Sequence, residues 1–326
     1  MTHPAGPPAA GFHDGELAVQ QRAGVTAAAA RLSGMLAPAE LRGGLPRFLA
    51  ARTFAALTAR DQAARLWISP LTGPAGFLAA TTATTLTVHA APLAGDPLRT
   101  PPTGQPAGLL VIEFAARRRV RLNGTLIAAD SNTLRFDVDQ AYGNCPQYIQ
   151  QRTLDPGPTA GPAPGPVRHG TALTQRDVDL VRAADTFLIG TTHPARGSDA
   201  SHRGGSPGFV RVEGGYLWWP DYQGNNMFNT LGNLAVDPTA ALLFCDFVTG
   251  QTLHLSGTAA IDWTTPGIPG DDGGTGRRVR FTPQALVAGR LLPLRASAVT
   301  ASPDNPALTG QLSARHPSLP ARMSSS

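Results

Sequence analysis

The chain has 326 residues, 42% hydrophobic and only 15% charged, with a formal net charge of +5, which is apolar material for two modest domains or one larger one. All 27 basic residues are arginine, which excludes a Walker-type phosphate loop and a lysine Schiff base. Any bound phosphate is left to guanidinium, hydroxyl, amide or backbone N–H donors. The two cysteines, Cys145 and Cys245, lie far apart and exclude a disulfide framework, a structural zinc site and a four-cysteine iron–sulfur cluster.

Residues 1–16 read as an N-terminal arm, Pro/Ala/Gly-rich over its first ten positions and expected to be disordered there. It has no basic start followed by an apolar stretch, so no secretory signal is expected. Helical patterning runs from Leu17 to Leu36, where Pro38 breaks it, and again from about Leu45 to Arg52. The run Ala27–Leu36 is too short to span a bilayer and contains Arg31; a soluble, cytoplasmic protein with no membrane partner is the expectation. Short apolar runs then follow between Gly, Pro and Asp: Thr53–Leu57, Arg65–Ile68, Gly76–Ala80, Leu86–His89, Leu109–Phe114 and Val120–Leu126. Their texture predicts a mainly β barrel or sandwich with flanking helices. Residues 17–154 make a first half, and the Pro/Gly-rich 155–170 a linker. Residues 171–297 make a second half that opens with a helix from Thr174 to Ala184. Residues 298–326 read as a disordered tail with little to pack.

The halves repeat one plan. Thr53-Phe54 falls opposite Thr186-Phe187, Ser69 opposite Ser201, Phe77 opposite Phe209, Glu113-Phe114 opposite Asp246-Phe247, and Leu122–Gly124 opposite Leu255–Gly257. Separations of 132 or 133 residues, kept in order through about seventy positions, indicate internal duplication. Two similar barrels in one chain can pack as a pseudo-dimer.

The densest chemistry lies between Asp199 and Asn233. Ser201, His202 and Arg203 precede a glycine-rich turn and the strand Phe209–Val212. Trp218 and Trp219 follow, then Asp221, Tyr222, Asn225, Asn226, Asn229 and Thr230. Amide and hydroxyl donors, aromatic surface and one arginine suit a flat heteroaromatic carrying a phosphate. The same residue types also make ordinary turns, and composition alone favours that reading.

The runs SHRGGSPGFVRV, PDYQGNNMFNTLGNL, DPTAALLFCDF and LSGTA resemble the flavin-binding half of the pyridoxamine 5'-phosphate oxidase-like family. The first-half runs FHDGELAVQQRAGV, LWISPLTGPAGFL, GLLVIEFAARRRVRLNG and YGNCPQYIQQR are similar to the long, two-part subgroup of that family. The resemblance spans roughly Gly11 to Trp263. It implies a tandem, internally duplicated split β-barrel holding FMN in a groove between barrels. Ser201, His202 and Arg203 would lie along the isoalloxazine and ribityl chain, with Tyr222 nearby. Asn225, Asn226, Asn229 and Thr230 would take the phosphate, with Arg203 supplying positive charge. The first half has no asparagine-rich counterpart, and Trp67–Pro70 stands where the second has Ala200–Arg203. One FMN per chain is therefore expected, the first barrel serving as partner wall. The family implies an oxidoreductase with a small-molecule substrate and an external electron donor or acceptor, and no dinucleotide fingerprint or ferredoxin-like cluster occurs here. Two homodimerising copies are compatible with it. A non-catalytic flavin-binding or storage module, or a haem- or deazaflavin-binding relative, are the alternatives on the same barrel.

Two departures matter. Trp263 is followed by no Arg-x-His pair, which puts pyridoxamine phosphate oxidation in doubt, and Gln147 stands where the subgroup has lysine. Other patterns carry less. Gly204-Gly-Ser206-Pro-Gly208 matches the G-x-S-x-G elbow, but Pro207 lacks the N–H that an oxyanion needs there. Arg117, Arg119 and Arg121 share a strand face better suited to solvent or a barrel interface than to nucleic acid. His202 is open to two roles, a polar contact in a turn or a donor or proton shuttle beside a flavin. His89, His193 and His254 lack partners at metal-ligand spacing, so no metal is assigned. Trp218 and Trp219 are both expected to pack in the core.

Overall fold

Apolar runs bounded by turn residues fold into antiparallel strands, and they do so twice. The structure is a computed structural model describing residues 11–37, 40–156, 166–296 and 298–309. The first half contributes β1 (Phe54–Arg60), β2 (Leu66–Thr72), β3 (Leu78–Ala80), β4 (Thr85–Val88), β5 (Gln105–Glu113), β6 (Arg118–Ala129) and β7 (Leu134–Gly143). They form one sheet in the order β2-β1-β5-β6-β7-β4-β3. Two short strands follow, β8 (Leu154–Pro156) and β9 (Arg168–Gly170). The second half contributes β10 (Thr186–His193), β11 (Gly197–Gly204), β12 (Arg211–Glu213), β13 (Tyr216–Pro220), β14 (Thr239–Cys245), β15 (Thr252–Trp263) and β16 (Arg277–Gly289). Their order is β11-β10-β14-β15-β16-β13-β12, with β9 beside β16. The two orders are identical once β1–β7 are replaced by β10–β16. The last strand, β17 (Leu294–Ala296), pairs with β8.

The likeness reaches the register. β6 shifts its pairing between Asn123 and Gly124, and β15 does so between Ser256 and Gly257, the equivalent step. A side chain at Gly124 would put its Cβ 2.0 Å from the Asp137 carbonyl oxygen; at Gly257 it would lie 2.1 Å from that of Thr282. Only glycine lets the bulged backbone approach its neighbour so closely. The ladders also correct one correspondence. Leu57 pairs with Ser69 as Ile189 pairs with Ser201, a constant offset of 132. Phe54 therefore matches Thr186, not Phe187, and Pro70 matches His202. Phe54 accordingly packs between the barrels, whereas Phe187 lies in the second barrel's own core.

Each sheet curls over its own apolar core as a split barrel. Leu57, Phe77, Leu109 and Phe136 fill the first; Phe187, Phe209, Trp219, Phe244 and Phe281 fill the second. A third cluster joins the two: Phe54, Ile68, Leu110 and Phe114 meet Leu188, Leu243 and Phe247. Phe114 and Phe247 sit edge to face at 5.5 Å, an arrangement favoured by the ring quadrupoles. The barrels cross with pseudo-twofold logic, β11 lying on β5 and β6 as β2 lies on β14 and β15.

The helices are α1 (Asp14–Arg22), α2 (Thr26–Ala30), α3 (Leu45–Ala50), α4 (Gln175–Ala183) and α5 (Asn229–Val236). α1 and α4 both open on a capping box, from His13 with Glu16 and from Thr174 with Asp177, satisfying amides that a helix start leaves bare.

Other expectations need correction. The arm does not reach residue 16: α1 begins at Asp14, and Gly15 and Glu16 are buried. The linker is strand at both ends, as β8 and β9, while 157–165 lie outside the described residues. The tail packs as far as residue 309: Gln151 bridges to Thr300, and Ser302 and Leu308 are buried. Residues 1–10 and 310–326 lie outside the described residues. Trp219 is core, but Trp218 is held between the guanidiniums of Arg211 and Arg278, each 4.6 Å from its ring. Among the described residues no helix is long and apolar enough to cross a membrane.

Candidate binding cleft between the barrels

Where β11 crosses β6, the interface opens into a cleft lined by both halves of the chain. Ser201, His202 and Arg203 line it from β11. Tyr222, Asn225 and Asn226 come from the loop after β13, and Asn229 and Thr230 from the first turn of α5. The residues singled out in the sequence thus share one wall. The facing wall belongs to the first half: Arg119 and Arg121 on β6, then Asn144, Cys145, Gln147 and Tyr148 beyond β7. Arg119 and Arg121 are two apart in a strand and so project to one side. Arg117 is not part of that face, because it sits in the preceding turn at φ 49°.

The guanidiniums differ in their partners. Arg121 donates to Asp199 Oδ2 at 3.0 Å and to Ser201 Oγ at 2.5 Å, with Asn229 Oδ1 at 3.5 Å. Arg203 donates to Asp221 at 3.1 Å, and Arg277 reaches the same carboxylate at 2.9 Å. Arg203 is therefore not a free charge. Arg119 contacts His202 instead, through Nδ1 at 2.9 Å and the backbone oxygen at 3.4 Å. Its Nε has no partner among the described residues. Burial, with Arg121 and Arg203 nearby, pulls the Arg119 guanidinium down to about 9; at neutral pH it stays charged.

That contact fixes the state of His202. Arginine offers only donors, so Nδ1 must accept and Nε2 carries the hydrogen. Burial, then Arg119, hold the imidazole's pKa well below its ordinary value. His202 is thus a neutral donor, 3% exposed, whose Nε2 finds no acceptor among the described residues. The proton-shuttle role does not fit this environment.

Further donors on the wall lack partners among the described residues: Thr230 Oγ1, Tyr222 Oη and Trp219 Nε1. Buried polar groups are rarely left so, and their convergence indicates a ligand of many acceptors. α5 starts without a side-chain cap, after Asn226 and Phe228 in left-handed conformation (φ 65° and 60°); its first amides add to the donor set. Tyr148 and Tyr222 lie 5.0 Å apart with their rings tilted by 47°, and supply aromatic surface. Among the described residues no group of His, Cys, Asp and Glu is placed to hold a metal. Sequence reasoning missed Arg119 and Arg121 as cleft residues. Their signal was a strand carrying arginine at alternate positions.

No protein-family model and no curated protein matches the sequence. Among solved structures, 23 chains match. One is a Clostridium acetobutylicum protein related to general stress protein 26, of the pyridoxinephosphate oxidase family: 18% identity, TM-score 0.26, covering 36% of this chain and 88% of that one. Others are an FAD binding protein from Mycobacterium smegmatis (17%, 0.25, 38% and 98%) and a FAD-binding protein from Mesorhizobium loti (11%, 0.26, 38% and 97%). These likenesses concern fold over one part of the chain and speak to no residue of the cleft. In architecture the chain is a tandem split β-barrel, and its solved neighbours include a protein of the pyridoxinephosphate oxidase family and FAD-binding proteins that each match about two fifths of it.

Proposed function

We propose that the cleft binds one flavin mononucleotide per chain and that the protein is an FMN-dependent oxidoreductase acting on a small-molecule substrate with an external electron donor or acceptor. The observation that carries the reading is the charge of the walls. Arg119, Arg121 and Arg203 line the cleft, with Arg277 behind them on Asp221, and among the described residues their only carboxylate partners are Asp199 and Asp221. With Glu16 neutral, two positive charges are left over, enough to balance the roughly −1.5 to −2 of a phosphate monoester near neutral pH. The orphan donors and the Tyr148–Tyr222 surface fit the rest of such a ligand, and the resemblance of the Ser201–Arg203 and Asn225–Thr230 runs favours a flavin over other phosphate esters.

A bound flavin supplies the electron transfer; the chain binds and orients it. Arg119 brings an uncompensated cation. His202 presents Nε2–H as a fixed donor, and Asn229 and Thr230 offer an amide and a hydroxyl at the helix start. Arg121 holds Ser201 and Asp199 in place across the interface.

The absorbance spectrum of the purified protein, followed by titration with FMN and with riboflavin, tests the reading. FMN should bind at one per chain and riboflavin, without phosphate, far more weakly. A folded protein that stays colourless and takes up no FMN rejects it. One observation favours a non-catalytic flavin-holding module: the cleft's only imidazole is neutral and locked. Anaerobic bleaching of the bound flavin by NADPH, or by a candidate amine, separates an enzyme from that module.

A further inference from the structure

α1 comes early in the first half of the sequence, yet it lies against α5 of the second barrel. Its side chains meet the cleft-forming segment in step. His13 Nε2 lies 3.1 Å from Asn233 Oδ1, and Gln20 Nε2 donates to the Met227 carbonyl at 3.3 Å. Between them, Asn229 Nδ2 donates to the Glu16 carboxylate. The backbones nearly touch: a Cβ at Gly15 would stand 2.2 Å from the Gly232 oxygen. Asn229 is thus a bridge, with its amide nitrogen on Glu16 and its oxygen toward Arg121.

Glu16 is 2% exposed and has no cation of its own. His13 and Asp14 flank it on α1. His193 and Arg196 approach from the end of β10 and the turn beyond, Asp199 from β11, Arg121 from β6 and Tyr142 from β7; Asn229 and Asn233 face it from α5. Of the cations, Arg121 is taken by Asp199, and Arg196 donates to the Gly11 carbonyl. His13 is held neutral, its pKa lowered to about 4 by burial and then by His193.

We propose that Glu16 is a positioning residue for the cleft's anion, gripping Asn229 from behind the site, and that arrival of a dianion is coupled to proton uptake by this carboxyl. The proposal rests on the anion-binding part of the reading above, not on the ligand being a flavin. Its basis is charge and geometry. With Glu16 neutral, the walls carry two uncompensated positive charges and a dianion balances them. With Glu16 ionised, one is already cancelled from one residue away. Burial, helped by Asp199, raises Glu16 to about 7 despite the N–H donors of His13 and Asn229, so both forms are populated near neutrality. A dianion raises it further, and by linkage a lower pH favours binding.

The test measures affinity at pH 6, 7 and 8 for FMN, by fluorescence quenching, and for sulfate, by calorimetry, with the full chain. Sulfate is a dianion that does not itself titrate in this range. Wild type should bind sulfate more tightly at pH 6 than at pH 8, by up to about tenfold for a one-unit shift of Glu16, and FMN by less, because its own phosphate takes up a proton near pH 6. Glu16→Gln should bind at near the wild-type pH 6 affinity throughout. Sulfate binding by wild type should take up a fraction of a proton at pH 7, read from calorimetry in two buffers of different ionisation enthalpy, a readout that stands if the variant does not fold. A flat wild-type profile, an equal slope in the variant, a variant weakened at all three pH values, or no proton uptake overturns the proposal. Linked sulfate binding without FMN binding keeps the proposal and removes the flavin reading. FMN binding without linkage does the reverse. Binding of neither anion removes both.

Discussion

Arg119 and Glu16 mark the two ends of one electrostatic device. Arg119 faces the cleft without a carboxylate partner among the described residues, and its loss should be felt mainly by the anion, with a smaller effect through the freed His202. Arg119→Met is expected to weaken FMN by about 2 kcal/mol, roughly thirtyfold, as for a charge-assisted hydrogen bond, and riboflavin, which lacks the phosphate, by much less; parallel titrations decide it. Glu16 should also show in stability without ligand. Its folded pKa of about 7 lies above the ordinary 4.5. The folded state therefore holds the proton more tightly, and stability from this group is lost as pH rises through about 7. Wild type relative to Glu16→Gln should lose about 3 kcal/mol between pH 4 and pH 8, read from paired denaturant curves. At this scale the sequence was half legible. Ser201–Arg203 and Asn225–Thr230 stood close together and were readable as a set. Arg119 and Arg121 were not, since only the crossing of β6 and β11 brings them beside residues eighty positions away. Glu16 was hidden in what read as an arm, because a buried carboxylate cannot be told from a solvated one without its neighbours.

At the level of elements, two glycine pairs fix the geometry. Gly124 and Gly257 sit at the same bulge in the two barrels, each with a carbonyl oxygen where a Cβ would go. Gly124→Ala and Gly257→Ala should each cost about 1–3 kcal/mol, and by similar amounts; chemical denaturation of the two variants compares them. Gly15→Ala acts elsewhere. It pushes α1 off α5, so it should reduce FMN affinity while leaving the barrel transition nearly unmoved, which binding and thermal melts measure separately. The strands were readable from alternating runs and turn residues, as was the repeat. Face and register were not fully so: matching Phe54 to Phe187 is natural by eye, yet one residue of slip moves a side chain to the opposite face. The ends of the linker and the start of the tail were misread because Pro-rich strands gain their order from partners distant in sequence, β17 for β8 and β16 for β9.

Over the whole molecule, the pseudo-twofold axis generates a second groove, and its chemistry has been replaced. Thr252 stands where Arg119 does, His254 where Arg121 does, and Pro70 and Leu71 where His202 and Arg203 do. The space is closed by Asp96, which accepts from Ser69 at 2.6 Å and lies 3.8 Å from His254; all three are buried. One anion per chain is the expected stoichiometry, and Arg119→Met should weaken that one site without revealing a second class of site in the same titration. The shared cluster of Phe54, Phe114, Leu188 and Phe247 has a further effect. In an assembly of separate subunits, thinning the solution parts the two faces of such a groove and frees whatever they hold. Here a single polypeptide keeps its partner surface at a fixed effective concentration, so the ligand's dissociation constant should be the same measured at nanomolar and at micromolar protein.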